Sequence, residues 1–405
     1  MAAAQANLPL LSGYRVLDLS DEKGAYGTKI LADLGADVIK VEPVGGCPSR
    51  RVPPFTGEKP QPEDSLFFAF SQTNKRSVTL NLDSATGRDL LLSLVKLADA
   101  VVESYPPGHL DERKLSYDLL ARQKAGLIVT SITGFGADGP YARYNDPEPV
   151  VFAMAGPLSA SGMPGEAPCL PPGHMAYGIA STFAALGTII ALFHRGMTGE
   201  GQHVEISAQQ CASLITDSAI PRLSIEKTVV GREGDTYRSI TPGSLYRCRD
   251  GYVRIVAGQP RHWRGLLEWM GHPQAFADPA WENREKRNKE REFVDSTVES
   301  FTSKRTRDEL FQEGQRYQVP VTPVYTPAEF LKSTWAESRG FATDVTESVA
   351  GPHETIGPPF LVDGRRPSLA RPAPTLGQHN REILVTETHL LTGAELDHLH
   401  ASGVI

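Results

Sequence analysis

The 405 residues, 40% hydrophobic and 22% charged, lie near globular averages, which excludes a disordered or fibrous chain and allows two or three domains with a sizeable core. With 41 basic and 48 acidic residues the net charge is −7, which argues against broad nucleic-acid binding. Cys47, Cys169, Cys211 and Cys248 form no CxxC pair and have no histidine at metal spacing, so they read as free thiols of a reducing compartment, and no metal site is expected.

The first seven residues lack the basic start and apolar stretch of a signal peptide, and the longest apolar run, 183–193, falls short of the roughly 20 residues of a span. A cytoplasmic protein with no membrane association is expected. From there to about residue 210, β-branched runs alternate with helical patterns, the signature of parallel strands joined by crossover helices. A strand at 14–19, a turn at Gly24 and Gly27, a helix at 29–34 and a strand at 37–42 make one βαβ unit. A strand at 77–82, a helix at 86–97, a strand at 98–104, a helix at 117–123 and a strand at 127–132 continue it. After the Pro/Gly-rich stretch 164–173, the spacing of Ile179, Phe183, Leu186, Ile190 and Phe193 predicts a long buried helix. Beyond about residue 222 the run 231–243 is polar, 251–256 reads as a strand and 281–291 as a charged, solvated stretch, so a smaller domain is placed at 223–330. The C-terminal piece has too little periodic structure to fold alone and is expected to return to the first domain.

Several motifs cluster near strand ends. Gly24-Ala-Tyr-Gly27 could hold a phosphate at a helix start or be an ordinary turn, and neither GxGxxG nor GK[ST] accompanies it. Asn74-Lys75-Arg76 places two cations and an amide beside a strand, as an anion site or as surface charge. Glu103-Ser-Tyr-Pro-Pro-Gly108 and Ser131-Ile-Thr-Gly-Phe-Gly136 are two further polar strand ends, and three on one sheet edge favour a ligand crevice. His174 and Tyr177 sit at the start of the long helix, where a nucleophile or oxyanion donor is useful and where plain packing is equally at home. The glycine-containing run 231–237 is a loop that could close over a site or simply link elements. HExxH and GxSxG are absent, so hydrolase readings have no anchor.

Taken in order, Arg15-Val-Leu-Asp-Leu-Ser, Leu31-Ala-Asp-Leu-Gly-Ala-Asp-Val-Ile-Lys-Val-Glu-Pro43, Asn74-Lys-Arg-Ser-Val, Ser131-Ile-Thr-Gly-Phe-Gly, Arg195-Gly-Met-Thr-Gly-Glu-Gly-Gln-His-Val204, Tyr246-Arg-Cys-Arg-Asp-Gly-Tyr-Val253 and Pro372-Ala-Pro-Thr-Leu-Gly377 resemble the family III CoA-transferases over nearly the full length. That group includes formyl-CoA transferase, carnitine CoA-transferase and α-methylacyl-CoA racemase. The resemblance implies an α/β protein: a Rossmann-like large domain built from both chain ends (1–222 and 331–405), a small α+β domain between (223–330), and two subunits interlocked as a dimer. It implies coenzyme A or an acyl-CoA as substrate together with a carboxylic acid. Asn74, Lys75, Arg76, Ser104 and Tyr105 would face the CoA, with Thr133 in the same crevice; Ser104 stands where the family usually carries asparagine.

The family's transferases attack the acyl-CoA with an aspartate just before the long helix. In this chain that position falls at Tyr177 or His174, and no Asp or Glu lies between 167 and 199. The histidine of the family's racemases is also missing, with Asp146, Pro147 and Glu148 in its stretch. Two arrangements follow from the resemblance. A paralogous partner subunit holds the aspartate, as in the heteromeric succinyl-CoA:(R)-benzylsuccinate CoA-transferase, or a homodimer uses another group such as Glu148 or His174. A purely structural or regulatory partner of an active homologue is the alternative from a different class.

Overall fold

In a computed structural model the chain is described from residue 9 to 405 apart from 58–60, 62, 237–238, 347, 349–350, 368 and 370, so the end of the 231–237 loop lies outside the described residues. The chain divides into two compact units. The first runs to Pro157 and adds Pro171–Asp217 and Trp335–Ile405; the second comprises Leu158–Leu170 and Ser218–Thr334. The segment Leu158–Leu170, assigned to the large domain from sequence, belongs to the second unit because Gly234 N–H donates to the Gly162 carbonyl (3.0 Å) and Arg232 reaches the carbonyls of Ser159 and Met163 (3.3 Å each).

The first unit is built on six parallel strands in the order β3-β2-β1-β4-β5-β6: β1 Arg15–Leu19, β2 Asp37–Glu42, β3 Arg76–Thr79, β4 Ala100–Glu103, β5 Ile128–Thr133 and β6 His203–Ser207. Strands covered on both faces need continuous apolar runs rather than alternation, which is why Val-Leu-Asp-Leu and Asp-Val-Ile-Lys-Val-Glu are legible as strands. The helices are α1 Ala25–Asp33, α2 Leu66–Ser71, α3 Ala85–Leu97, α4 His109–Glu112, α5 Tyr117–Gln123, α6 Glu148–Met154, α7 Met175–Thr198 and α8 Ala208–Ser213. Sequence placed β2 and α5 at these bounds. It began α1 four residues late because the glycines were read as a turn: Gly27 is inside the helix, where an added Cβ would sit 2.2 Å from the Ser181 carbonyl oxygen of α7. The glycine therefore allows two helices to touch rather than cradling a phosphate.

That close approach explains an inversion along α7. Its buried face is mostly small, Ala176, Ala180, Ser181, Ala184, Ala185, Thr188 and Ala191, with Tyr177 and Leu192 toward its two ends. Of the apolar stripe expected to be buried, Ile179 and Phe183 are half-buried and the C-terminal part is turned out, with Leu186 48%, Ile190 57% and Phe193 69% exposed. Small side chains let backbones approach within a tight packing distance, whereas the 3.6-residue period reports only that a face is apolar, not which neighbour covers it. α7 is long and apolar enough to cross a membrane by length and composition alone; half of that stretch is buried inside the unit, as in a core helix.

Residues 371–405 run along the outer strand. Arg371 and Asn74 exchange two hydrogen bonds of 3.0 Å, His379 N–H donates to the Ser77 carbonyl (2.9 Å), Asn380 pairs with Thr79 (2.8 and 2.9 Å), and Asn81 N–H donates to Val404 (2.8 Å). Ile383, Leu384, Leu396 and Ile405 join the core formed by β1–β4 and α3. The edge strand is thus closed by chain from the far end.

The second unit holds a three-stranded antiparallel sheet, β7 Leu245–Cys248, β8 Gly251–Ile255 and β9 Val321–Pro323, around a core containing Trp263, Trp269, Phe276 and Trp281. The 281–291 stretch is not wholly solvated. Arg287 is 1% exposed, lies over the Trp263 ring at 4.7 Å and donates to the carbonyls of Thr241 (3.0 Å) and Trp281 (2.6 Å). A guanidinium with planar donors can satisfy buried carbonyls while its face packs on an aromatic ring, which a count of charges does not reveal.

Candidate functional site

Parallel strands give the sheet two unlike edges, and ligands in open α/β sheets bind outside the carboxyl ends. Asn74, Lys75 and Arg76 lead into β3 and so lie toward the amino edge, while Ser104, Tyr105 and Thr133 end β4 and β5 at the carboxyl edge. The structure does not bring the two groups together, and it ties the first group internally. Lys75 is fully buried, its ammonium bonded to Asp18 (3.0 Å), Thr28 (2.7 Å), Gln72 (2.7 Å) and the Ala25 carbonyl (3.1 Å). Burial pushes that ammonium down to about 8, even with Asp18 beside it. Burial works to raise Asp18 as well, but Lys40 and Lys75 hold the carboxyl well below the usual carboxylate range. Arg76 binds Asp37 (2.7 Å), Glu382 (2.9 Å) and Glu387 (2.5 Å), and Asn74 donates to Asp33 (2.7 Å). Asn74, Lys75 and Arg76 lead into β3, as their order in the sequence implies, and so stand at its amino end.

At the carboxyl edge, the turn from β1 to α1 meets the ends of β4 and β5 and the start of α7. Asp21 accepts from Ser104 Oγ (2.6 Å) and from Lys23 Nζ (2.9 Å), and Asp21 N–H donates back to Ser104 (2.7 Å). Lys23 also faces Asp146 at 3.7 Å and lies 5.7 Å from the Tyr177 ring. Asp146 in turn accepts from Gly134 N–H (2.8 Å), and the Tyr177 hydroxyl donates to the Asp146 carbonyl. His174 packs edge-on against Phe67 (5.3 Å) and parallel to Tyr177 (6.4 Å). Thr133 is buried, its hydroxyl accepting from Gly136 N–H (3.0 Å). Glu148 is 6% exposed and caps α7 by accepting from Ala176 N–H (2.9 Å). A carboxylate from α6 held against the first turn of the long helix is where the macrodipole favours it, which accounts for Glu148 structurally.

Next to this turn, a pocket of about 370 Å³ opens outside the ends of β2, β3 and β4. Its walls include Pro43, Leu80, Tyr105, His109 and Arg113, with Asp83 at the rim. Tyr105 and His109 stack at 4.4 Å with 6° between their planes, a flat surface of the kind a purine packs on. Arg113 binds Asp83 at 2.7 and 3.0 Å, giving the pocket one guanidinium within reach of an anion. The His109 imidazole is held below its usual range by partial burial and by Arg113. Sequence reasoning missed Pro43, Leu80–Asp83, His109 and Arg113. The signal was available: residues that follow β-branched runs, not those that precede them, reach the binding edge.

Two electrostatic features mark the crevice. Burial pushes the Glu103 carboxyl up to about 7, against the Ser131 hydroxyl and Tyr105 N–H that bond it. Burial and Asp21 raise Glu22, against Lys23 and His174. Among the described residues no group of three or more His, Cys, Asp or Glu is placed to hold a metal ion.

Comparison with known proteins agrees with this geometry. The model of "CoA-transferase family III" matches residues 11–380. The chain is similar, at 33% identity over 97% of its length and 98% of the relative's, to a subunit of succinyl-CoA:(R)-benzylsuccinate CoA-transferase from Thauera aromatica. It is 31% identical, over 99% of the chain and 94% of the relative, to the alpha subunit of succinyl-CoA–L-malate CoA-transferase from Chloroflexus aurantiacus. Its fold is similar to the crystal structure of a CAIB/BAIF family protein from Brucella suis, with a TM-score of 0.84, 28% identity and coverage of 97% of this chain and all of the other. With residues 11–380 accounted for by that model and a relative 33% identical over 97% of its length, the chain belongs to the family III CoA-transferases.

Proposed function

We propose that this chain moves CoA from an acyl-CoA to a carboxylic acid, with the adenosine end of CoA against Tyr105 and His109, its phosphates toward Arg113, and the thioester brought past Ser104 to the turn bearing Glu22 and Lys23. The observation that carries the reading is an adenine-sized pocket at the carboxyl edge that opens beside a crevice of perturbed carboxyls. Ser104 and Tyr105 keep the CoA-facing role that their motif implies, and Thr133 shapes the crevice floor through its bond to Gly136. Asn74, Lys75 and Arg76 act instead by holding the sheet and the C-terminal segment together.

The chain works paired, in an interlocked dimer with a homologous subunit. The outward stripe of Leu186, Ile190, Phe193 and Met197 supports this, since contiguous apolar faces of this kind are characteristic of interfaces. An apolar cleft of about 600 Å³ shares Leu186 with that stripe and is lined by Phe70, Phe341 and Phe360. Two relatives bear names that describe subunits, which supports a paralogous partner holding the aspartate that this chain lacks.

Calorimetric titration with CoA tests the reading: micromolar binding that is lost in Tyr105→Ala is expected, and absence of binding both alone and with a neighbour-encoded paralogue would leave only a structural role. Light scattering tests the pairing: Phe193→Asp, which places a charge in the stripe, is expected to shift the protein to a monomer.

A further inference from the structure

A polar row crosses one face of the sheet and has no part in the function proposed above. Glu103 ends β4, Ser131 is its register partner on β5, and His203 opens the edge strand β6 beside Val129. All three line a pocket of about 200 Å³ walled by Tyr105, Leu115 and Tyr117, and Tyr105 is also a wall of the pocket assigned to CoA. Glu103 and Ser131 are buried, whereas His203 is exposed. His203 Nε2 lies 2.9 Å from Ser131 Oγ, the Ser131 hydroxyl bonds the Glu103 carboxyl, and Glu103 Oε2 accepts from Tyr105 N–H (2.8 Å). The imidazole stacks on Tyr117 at 4.9 Å with 13° between the planes, which fixes one ring nitrogen toward Ser131 and turns the other away.

A hydroxyl has one proton, so this chain of bonds runs in one direction at a time. With Glu103 as carboxylate, His203 Nε2–H donates to Ser131 and Ser131 donates to Glu103. With Glu103 as the acid, its proton goes to Ser131, the Ser131 proton goes to Nε2, and the neutral imidazole carries its own proton on Nδ1. We propose that Glu103, Ser131 and His203 are a proton relay through which Glu103 takes up a proton from solvent when an anionic acyl-CoA enters the crevice; the identity of the ligand rests on the CoA-transfer reading above. A proton from water forms an N–H bond at Nδ1 while the Nε2–H bond breaks, that proton passes to Ser131 Oγ, and the Ser131 proton passes to the Glu103 carboxylate. One proton enters at the sheet edge, one is gained at Glu103, and the imidazole is neutral before and after.

Charge supplies the reason. Glu103 lies within electrostatic reach of Asp21 and Lys23, and Glu22 and Asp146 face the same lysine. CoA and a carboxylic acid bring further anions to a place where carboxylates already outnumber the cation, and a like charge nearby favours the neutral acid. Burial has pushed the Glu103 carboxyl up to about 7, so a small further push changes its proton occupancy at neutral pH. At the other end, burial holds the His203 imidazole below its usual range against Glu205 and Asp118, so the ring passes a proton on rather than keeping it. Tyr105, Asp111 and Tyr117 are the remaining titratable groups of the pocket among the described residues.

Isotopic labelling of the histidine nitrogens, read by NMR on the full chain in the assembly in which it purifies, tests the relay, with His203 assigned by the signal lost in His203→Gln. Between about pH 8 and pH 6 the His203 proton is expected to move from Nε2 to Nδ1 as Glu103 is protonated, and Glu103→Gln and Ser131→Ala are each expected to abolish that move. Calorimetric titration with CoA and succinyl-CoA near pH 7.5, in buffers of different ionisation heat, is expected to show uptake of a fraction of a proton per chain that falls at least about twofold in Glu103→Gln. A wild-type tautomer that ignores pH, or one that responds equally in Glu103→Gln, overturns the relay and leaves the CoA-transfer reading standing. Equal uptake in the wild type and Glu103→Gln overturns its coupling to the ligand. Failure to bind either ligand removes the transfer reading and that coupling with it, while the pH titration of the ligand-free protein still decides the relay.

Discussion

At Lys75 every proton of the ammonium has an acceptor in Asp18, Thr28, Gln72 or the Ala25 carbonyl; at Glu22, three residues before that same carbonyl, a buried oxygen has no donor among the described residues. Both are charged side chains taken out of water within one layer of the first unit. The first is a closed network, and closing it is what makes burial tolerable, since an ion pair repays desolvation only with its remaining hydrogen-bond valences filled. The second is open. A buried charge with a full set of partners reads as architecture.

The largest effect is expected where the closed network is broken. Lys75→Met deprives Asp18 of one of its two lysines in a site with no solvent, and a loss of about 3–5 kcal/mol in denaturant unfolding is expected. Adding Asp18→Asn should recover part of that, because the stranded charge is gone; a CoA affinity that falls along with stability in the folded variant would place Lys75 at the site after all.

Glu103 sharpens the comparison through pH. Its carboxyl, pushed by burial from an ordinary 4.5 up to about 7, binds its proton more tightly folded than unfolded. The stability this provides is complete below the unfolded value and is lost as pH rises through the folded one, a drop on the order of 2–3 kcal/mol between about pH 5 and pH 8. Glu103→Gln should flatten that slope in thermal or urea unfolding measured across the range. An unchanged slope would mean that the crevice is wetter than its burial indicates.

The smallest effect separates the two sheet edges directly. Arg113→Ala is expected to weaken CoA about tenfold, roughly 1.4 kcal/mol, with little change in stability. Arg76→Ala is expected to do the converse, costing about 1–2 kcal/mol of folding while CoA binding stays within twofold. Calorimetry and urea unfolding on the same two variants decide it, and equal loss of CoA affinity in both would erase the distinction between the edges.

How far the sequence carried depends on whether a property is local. The strands β1, β2, β4 and β5 and the helices α3 and α5 were legible because residues covered on both faces must be apolar in runs, and helices facing a sheet must repeat every three to four residues. The position of Arg76 was legible as well, but its ion-pair partners were not. Whether a cation is free depends on Asp37, Glu382 and Glu387, two of them more than 300 residues away. Glu22 was passed over for the same reason: Asp21, Glu22 and Lys23 are indistinguishable as a charged turn until Ser104, Asp146 and Glu148 show which carboxylates are already engaged.

The amino-acid order by itself determined the α/β class, the run of βαβ units, the family motifs and the missing aspartate at 174–177, since each is written in adjacent residues or in their periodicity. The tertiary structure alone decided which edge of the sheet is open, which face of α7 is left apolar and outward, and which carboxylate oxygen is buried without a donor. Those depend on strand direction, on the closeness of α1 to α7 through Gly27, and on partners brought together from distant parts of the chain. Burial and hydrogen-bond satisfaction are properties of a packed neighbourhood, and a neighbourhood does not exist until the chain has folded.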